Sequence, residues 1–392
     1  MSDSSNDSSE TSNSNLLRVL KPRVLNWLSH LDLSSSVLFK EEDFVSGGGY
    51  GDVFKGHITL SDQTKVKVAI KRLRFYMRED ILSLFEKEIY VWSKLRHKNI
   101  LPLLGYAFSN GHGYPLLVSE WMDNGSAWTY VQQKPDCNLL HIVIGIAQGL
   151  EYLHDKGIVH SDIKSDNVLV SSSGDALICD FGCSRMITAS QSLAKPSSGL
   201  KGTPRYQAYE LLTEGGFKGY TKEADVWAFG MTVYELLARQ RPYSHLSDSQ
   251  VLLAIVRREL PQPPPSFTPS IWRDSGVNRT LWEVCQHCWI HDPSIRIDIA
   301  TVLADLRLTR GRRGPRITSI DSDDSIGGAD MGQSASGELT YADLLASNLL
   351  QSVTTEHWWS SFFSFEMLVF VLILLLTPLA SINFYPKSIN VI

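Results

Sequence analysis

A disulfide framework is the first thing this chain lacks. Five cysteines in 392 residues is an odd count, at spacings that match no such framework, and it points to a reducing compartment. Cys285 and Cys288 form a C-x-x-C pair, but no second pair stands at zinc-site spacing. Both are therefore expected as helix cysteines in the core rather than as metal ligands. No apolar stretch follows the N-terminus, so the mark of a secretory signal peptide is missing too. Neither sign of charge dominates: 37 Lys and Arg against 42 Asp and Glu leave a net −5, which gives no reason to expect a nucleic-acid partner. Apolar material, by contrast, is plentiful. At 43% hydrophobic residues the chain can bury a large core, enough for two or three folding units or for one two-lobed unit.

Residues 1–15 are Ser, Asn and Asp with almost nothing apolar, and read as a disordered tail. Leu17, Leu20, Val24, Leu28 and Leu31 then recur at spacings of three and four, which predicts an amphipathic helix over 16–33 within a helical segment 16–38. From 39 to 122 the pattern is strand-like, with β-branched residues alternating with polar ones over 52–58 and 65–73. One helix interrupts it over 80–95, where Ile81, Leu84, Phe85, Ile89 and Trp92 mark a single face. After Gly125 the signal turns helical: 139–156, stopped by Gly157, then 224–238, 248–258, 281–290 and 299–309. The fold class is α+β, a small antiparallel β-rich lobe (39–122) ahead of a larger, mainly α-helical lobe (123–309). Residues 310–340 are rich in Gly, Ser, Asp and Arg and read as a flexible linker.

Residues 367–376 are wholly apolar, and 361–382 reaches the roughly 20 residues a membrane span needs. Trp358 and Trp359 stand where an interfacial aromatic belt would lie, while Glu366 is costly at depth. A C-terminal transmembrane helix that leaves the preceding lobes in the cytoplasm is one reading. A segment that packs onto a partner and an artefact of gene prediction are the others.

The residues that carry chemistry come in a fixed order. Ser46-Gly47-Gly48-Gly49-Tyr50-Gly51-Asp52-Val53 lies between two strand patterns, and glycines let backbone amides approach phosphate oxygens closely. Gly-rich hairpin turns are common, so this run carries little alone. Val68-Ala69-Ile70-Lys71 follows one strand later. An ammonium among Val and Ile is costly to desolvate without a partner, and Glu88 on the apolar-faced helix supplies one. Further on, His160-Ser161-Asp162-Ile163-Lys164-Ser165-Asp166-Asn167 precedes a strand, a turn and Asp180-Phe181-Gly182. Phosphoryl transfer needs such a set: a cation for the α/β-phosphates, oxygen ligands for Mg²⁺ and a carboxylate to orient the attacking hydroxyl.

Over residues 40–309 this ordered set resembles the eukaryotic protein kinases, in their tyrosine-kinase-like group. The resemblance implies a bilobal kinase fold and the transfer of the γ-phosphoryl group of ATP, with Mg²⁺, to protein substrates. It implies that the loop from Ser46 through Gly47, Gly48, Gly49, Tyr50 and Gly51 to Val53 covers the ATP phosphates, and that Lys71, paired to Glu88, binds two of them. Asp162 would be the catalytic base, Lys164 would touch the γ-phosphate, and Asn167 and Asp180 would hold the metal. Ala69, Val53 and Leu169 would sandwich adenine, with Ser119 as gatekeeper at the head of the hinge through Glu120 and Met122. Downstream, residues 202–210 resemble the substrate-docking segment. Asp225 resembles the anchor of the catalytic loop, and Arg296 the partner of a glutamate, here Glu210.

Three departures stand out. Ser46 replaces the first glycine of the loop, and Tyr209 stands where proline is usual, which puts the local turn in question. Ser161 replaces the arginine that ordinarily receives an activation-loop phosphate, which argues against control by that clamp. Lys164, two residues past the base, and the lack of a Pro-x-x-Trp platform favour Ser/Thr acceptors. The competing class is a pseudokinase scaffold, whose usual mark is loss of the lysine, the base or the metal aspartate. All three are retained.

Overall fold

β1 (Val37–Leu38), β2 (Phe44–Gly47), β3 (Gly51–Thr59), β4 (Lys65–Leu73), β5 (Leu103–Phe108) and β6 (Pro115–Glu120) form one antiparallel sheet. Their order is β1-β3-β4-β6-β5, with β2 also on β3. We take this architecture from a computed structural model, described over residues 28–47, 51–60, 63–73, 85, 88–108, 115–186, 203–213, 220–264 and 276–311. β3 and β4 pair along their whole length, from Gly51↔Leu73 to Thr59↔Lys65. Cross-strand partners share a face. Phe54, Val68, Ile70 and Val118 therefore fall on one side, where they are buried, and Val53, Ala69, Lys71, Leu117 and Ser119 on the other. The second face carries the candidate site. The chain is helical again at Phe85 and over residues 88–92, where Phe85, Ile89 and Trp92 are buried as their spacing predicts; Phe85 meets Tyr106 of β5 edge-on.

The N-terminal expectation needs correction. Residues 16–27 lie outside the described residues, and from Ser29 on the segment is not an α-helix. Ser29–Leu31 is a single 3-10 turn, and Val37–Leu38 is strand β1 on β3. Asp32 accepts from the amide of Ser34 (2.9 Å) and from its hydroxyl, which turns the chain. Leu33 N then donates to Tyr106 O at 2.7 Å. Over residues 32–38 the chain is held by open sheet edges rather than by helical hydrogen bonds. Gly105 permits the approach, since a Cβ there would collide with the Leu31 carbonyl.

The second lobe is built on helices α1 (Ala127–Gln133), α2 (Leu139–Asp155), α3 (Lys222–Ala238), α4 (Asp248–Val256), α5 (Gly276–Cys288) and α6 (Ile299–Gly311). Their starts carry side-chain caps: Ser126 accepts from Thr129 N, Asn138 from His141 N and Thr221 from Ala224 N. Gly157, at φ +67, ends α2 as expected. α3 is buried through most of its length, with Asp225, Trp227 and Phe229 among its interior residues. Cys285 and Cys288 lie in the core against α3, where a Cβ on Gly230 would stand 2.6 Å from that of Cys288. Two small ladders, β7 (Ile158–Val159) with β10 (Arg185–Met186) and β8 (Val168–Val170) with β9 (Ala176–Ile178), frame the loop between the lobes. Among the described residues no helix is long and apolar enough to cross a membrane; residues 361–382 lie outside them.

Candidate active site

Lys71 lies two residues from the end of β4, between Val53 of β3 and Leu117 of β6. Its ammonium is 2.8 Å from Glu88 Oε1 and 2.7 Å from Asp180 Oδ1. Burial works against that charge, but Asp180 and Glu88 more than offset it, and the lysine pKa is raised. Two carboxylates thus share one cation, unequally. Burial raises the Glu88 pKa against the pull of Lys71, whereas at Asp180 burial loses to the charge and hydrogen bond of Lys71, and its carboxyl is held below the usual range.

The loop of residues 160–167 is held from beneath. The amides of His160 and Ser161 each donate to the Asp225 carboxylate at 2.8 Å, and His154 Nε2 lies 3.0 Å from the same group, at the buried start of α3. Ser161 takes a left-handed conformation, φ +70, to make this turn. The His160 ring donates from Nε2 to the Cys179 carbonyl (3.0 Å) and accepts the Asp162 amide at Nδ1 (3.3 Å), which fixes its tautomer. Phe181 packs between His160 and Trp92, at 5.5 and 5.7 Å between ring centres. The helix that carries Glu88 is thereby joined to the loop of residues 160–167.

Asp162 is 5% exposed and both its oxygens are engaged. Oδ2 accepts from Lys164 (2.9 Å) and Asn167 (3.0 Å); Oδ1 accepts the amide and hydroxyl of Thr203 (3.1 and 3.0 Å). Lys164 also reaches the Thr203 hydroxyl at 2.8 Å. Thr203 lies 41 residues downstream, and the available sequence signal for it is weak: Gly-Thr-Pro at the start of the segment 202–210.

Asn167 and Asp180 flank the β8–β9 ladder. Val168 pairs with Ile178, and Cys179 N donates to Asn167 O at 2.9 Å, which brings the two positions together. Asn167 spends its amide nitrogen on Asp162, so its side-chain oxygen is the atom left to ligate. That oxygen and a carboxylate held ionised are hard donors of the kind Mg²⁺ takes while keeping waters and phosphate oxygens, and the residues fit the ion.

The remaining expected positions surround this centre. Val53, Ala69 and Ser119 share the Lys71 face of the sheet, Glu120 ends β6, and Met122 O accepts from Gly125 N at 2.9 Å. Leu169 of β8 bridges to Ser126. Ser46↔Val53 and Gly47↔Asp52 pair β2 with β3; Gly48, Gly49 and Tyr50 lie outside the described residues. Gly51 has a packing reason of its own, because a Cβ there would stand 2.6 Å from the Arg72 carbonyl. Tyr209 does not break its turn: Tyr209–Leu211 is a 3-10 turn, with the Tyr209 ring edge-on to His291. Arg296 grips Glu210 with two nitrogens, at 2.7 and 2.9 Å.

A family profile for protein tyrosine and serine/threonine kinase matches residues 39–306. The chain belongs to that family. Among curated proteins, serine/threonine-protein kinase STY17 of Arabidopsis thaliana is 29% identical over 269 residues, 67% of this chain and 43% of that protein. A probable serine/threonine-protein kinase of Dictyostelium discoideum is 31% identical over 71% of this chain and 28% of its own length. Serine/threonine/tyrosine-protein kinase HT1 of Arabidopsis thaliana is 29% identical, covering 69% of this chain and 66% of its own. The chain thus spans less than half of the first two relatives. The bilobal arrangement is the family's fold, and protein kinase activity is what the family supports.

Proposed function

We propose that this kinase domain transfers the γ-phosphoryl group of Mg-ATP to Ser and Thr hydroxyls of proteins. The observation that carries the reading is the Lys71 ammonium held between Glu88 and Asp180, because it aims a fixed cation into the cleft beside a metal-competent carboxylate. Bound Mg-ATP supplies the transferable phosphoryl group and the metal charge that offsets its oxygens. Lys71 binds the α/β-phosphates, and Glu88 keeps it from swinging away. Val53, Ala69 and Leu169 enclose the adenine, while Ser119, Glu120 and Met122 line its edge. Asn167 and Asp180 hold the metal. Asp162 orients the acceptor hydroxyl and takes its proton, and Lys164 steadies the γ-phosphate.

Lys164 and Thr203 on the Asp162 carboxylate support Ser/Thr acceptors, as do the printed names of STY17 and the Dictyostelium relative. HT1, named for all three hydroxyl residues, makes a tyrosine arm necessary. The test incubates purified full-length chain with Mg-ATP and a generic Ser/Thr substrate or a tyrosine polymer, beside Asp162→Ala and Asp180→Ala controls. Wild-type labelling of Ser/Thr that both controls lose is expected. Labelling of tyrosine alone overturns the acceptor assignment, and equal background in all three proteins favours a pseudokinase scaffold.

A further inference from the structure

The chain leaves α3 through Arg239 and Tyr243, two non-glycine residues in the left-handed region (φ +53 and +55). Such strain persists only where surrounding contacts hold it. The contacts here come from the connector's own arginines and from Arg205. Arg239 reaches back to the carbonyls of Val131 and Pro135 beside α1. Arg205, two residues past Thr203, donates to the carbonyls of Pro242, Tyr243 and Leu246 at 2.7–2.9 Å. Arg241 turns toward the catalytic loop. It grips Asp166 with two nitrogens (2.7 and 3.0 Å), pairs with Glu235 of α3, reaches the Tyr206 hydroxyl at 3.3 Å and lies over the Trp128 ring at 4.3 Å.

Two carboxylates and one guanidinium therefore stand beside the base, and the proposed chemistry uses none of them. Glu235 is fully buried and also accepts the Ser165 amide, whereas the Asp166 side chain is 42% exposed and that of Arg241 33%. Asp166 lies four residues past Asp162 on the same short loop, next to the metal candidate Asn167. Without Arg241, the partly exposed Asp166 carboxylate would lose its cation beside Tyr206 of the docking segment, and Glu235 would be left buried without one.

We propose that Arg241 is a specificity-determining and positioning residue. It fills an acid pair, Asp166 and Glu235, that would otherwise select acceptor segments bearing a basic side chain, and it keeps the loop of Asp162 in register with the docking segment. This rests on the protein-phosphorylating reading above. Acceptors without a basic residue beside the phosphorylated hydroxyl are the class it admits.

The test uses full-length chain and serine peptides that differ only in carrying arginine, glutamine or glutamate at the positions flanking the serine. Wild type is expected to treat the arginine and glutamine peptides alike, within about twofold in kcat/KM. Arg241→Gln should favour the arginine peptide by about fivefold, chiefly through KM, as expected for one partly exposed charge pair. Arg241→Lys should restore the wild-type ratio, and adding Asp166→Asn to Arg241→Gln should remove most of the gain. Should Arg241→Gln not fold, Asp166→Asn alone serves: it leaves Arg241 with spare charge and should shift preference toward the glutamate peptide. An unchanged peptide ratio in the folded variant overturns the inference. Anisotropy of the labelled arginine peptide reads the same shift without turnover, so a binding shift in a chain that labels nothing would sink the enzymatic reading and leave this one standing.

Discussion

Thr203 closes on Asp162 through two donors, its amide at 3.1 Å and its hydroxyl at 3.0 Å, both on one carboxylate oxygen. The segment that begins at Thr203 is thus fastened to the carboxylate proposed as the base. Thr203→Val keeps the amide and removes the hydroxyl shared with Lys164, and kcat is expected to fall by about 10–100-fold, the worth of a hydrogen bond to a charged group. Thr203→Ser should hold near wild type. Steady-state kinetics with a thermal melt separate the effect from misfolding.

Lys71→Met would leave Glu88, 2% exposed, and Asp180 facing each other without a cation. Breaking a buried pair on one side costs about 3–5 kcal/mol. A urea titration should show that loss, and adding Glu88→Gln should recover part of it. If the double variant were less stable than the single one, the shared-cation account would be wrong.

Arg296 holds Glu210 from a wholly buried position, beside the Trp227 ring and the Ile290 and Glu223 carbonyls. Arg296→Met is expected to destabilise by about 3–5 kcal/mol for the same reason. Chemical denaturation of this variant beside Glu210→Gln checks it.

Burial pushes the Cys288 thiol up to about 12, with Arg296 pulling the other way, from an ordinary value of 9.0. In the unfolded chain the thiol ionises first. Its contribution to stability is therefore complete below about pH 9 and is lost as pH rises toward about 12. Unfolding midpoints across that window should fall more steeply for wild type than for Cys288→Ala. Equal slopes would exclude Cys288 from the alkaline limb.

Were residues 361–382 a membrane anchor, full-length protein would sediment with membranes and a truncation at Ser352 would not. Identical soluble behaviour in fractionated cells would dispose of the anchor.

The pairing of Lys71 with Glu88 was legible because a lysine among Val and Ile demands a partner, and an apolar-faced helix with one well-placed glutamate offered it. Asp162, Asn167 and Asp180 were legible as an ordered set. That Asp180 shares the cation of Lys71 was not, since it depends on a contact 109 residues apart. Thr203 and Arg241 escaped for the same reason, Arg241 meeting Asp166 across 75 residues without any local pattern to announce it. The segment before residue 39 misled in the opposite way. Its leucine spacing favoured a helix running on to residue 33, while the bare edges of β3 and β5, which no local window contains, hold Asp32 and Val37–Leu38.

Ser161 contributes to the loop through its amide, which Asp225 holds from α3. Every amino acid except proline has that amide, so evolution can exchange the side chain at position 161 while the turn keeps its footing. The space around the buried Ser161 Oγ and the left-handed backbone restrict the choice, the latter chiefly against β-branched replacements. Dependence on a phosphorylated activation segment is on this view a detachable trait: a lineage can acquire or discard it by one codon, with the scaffold beneath unchanged.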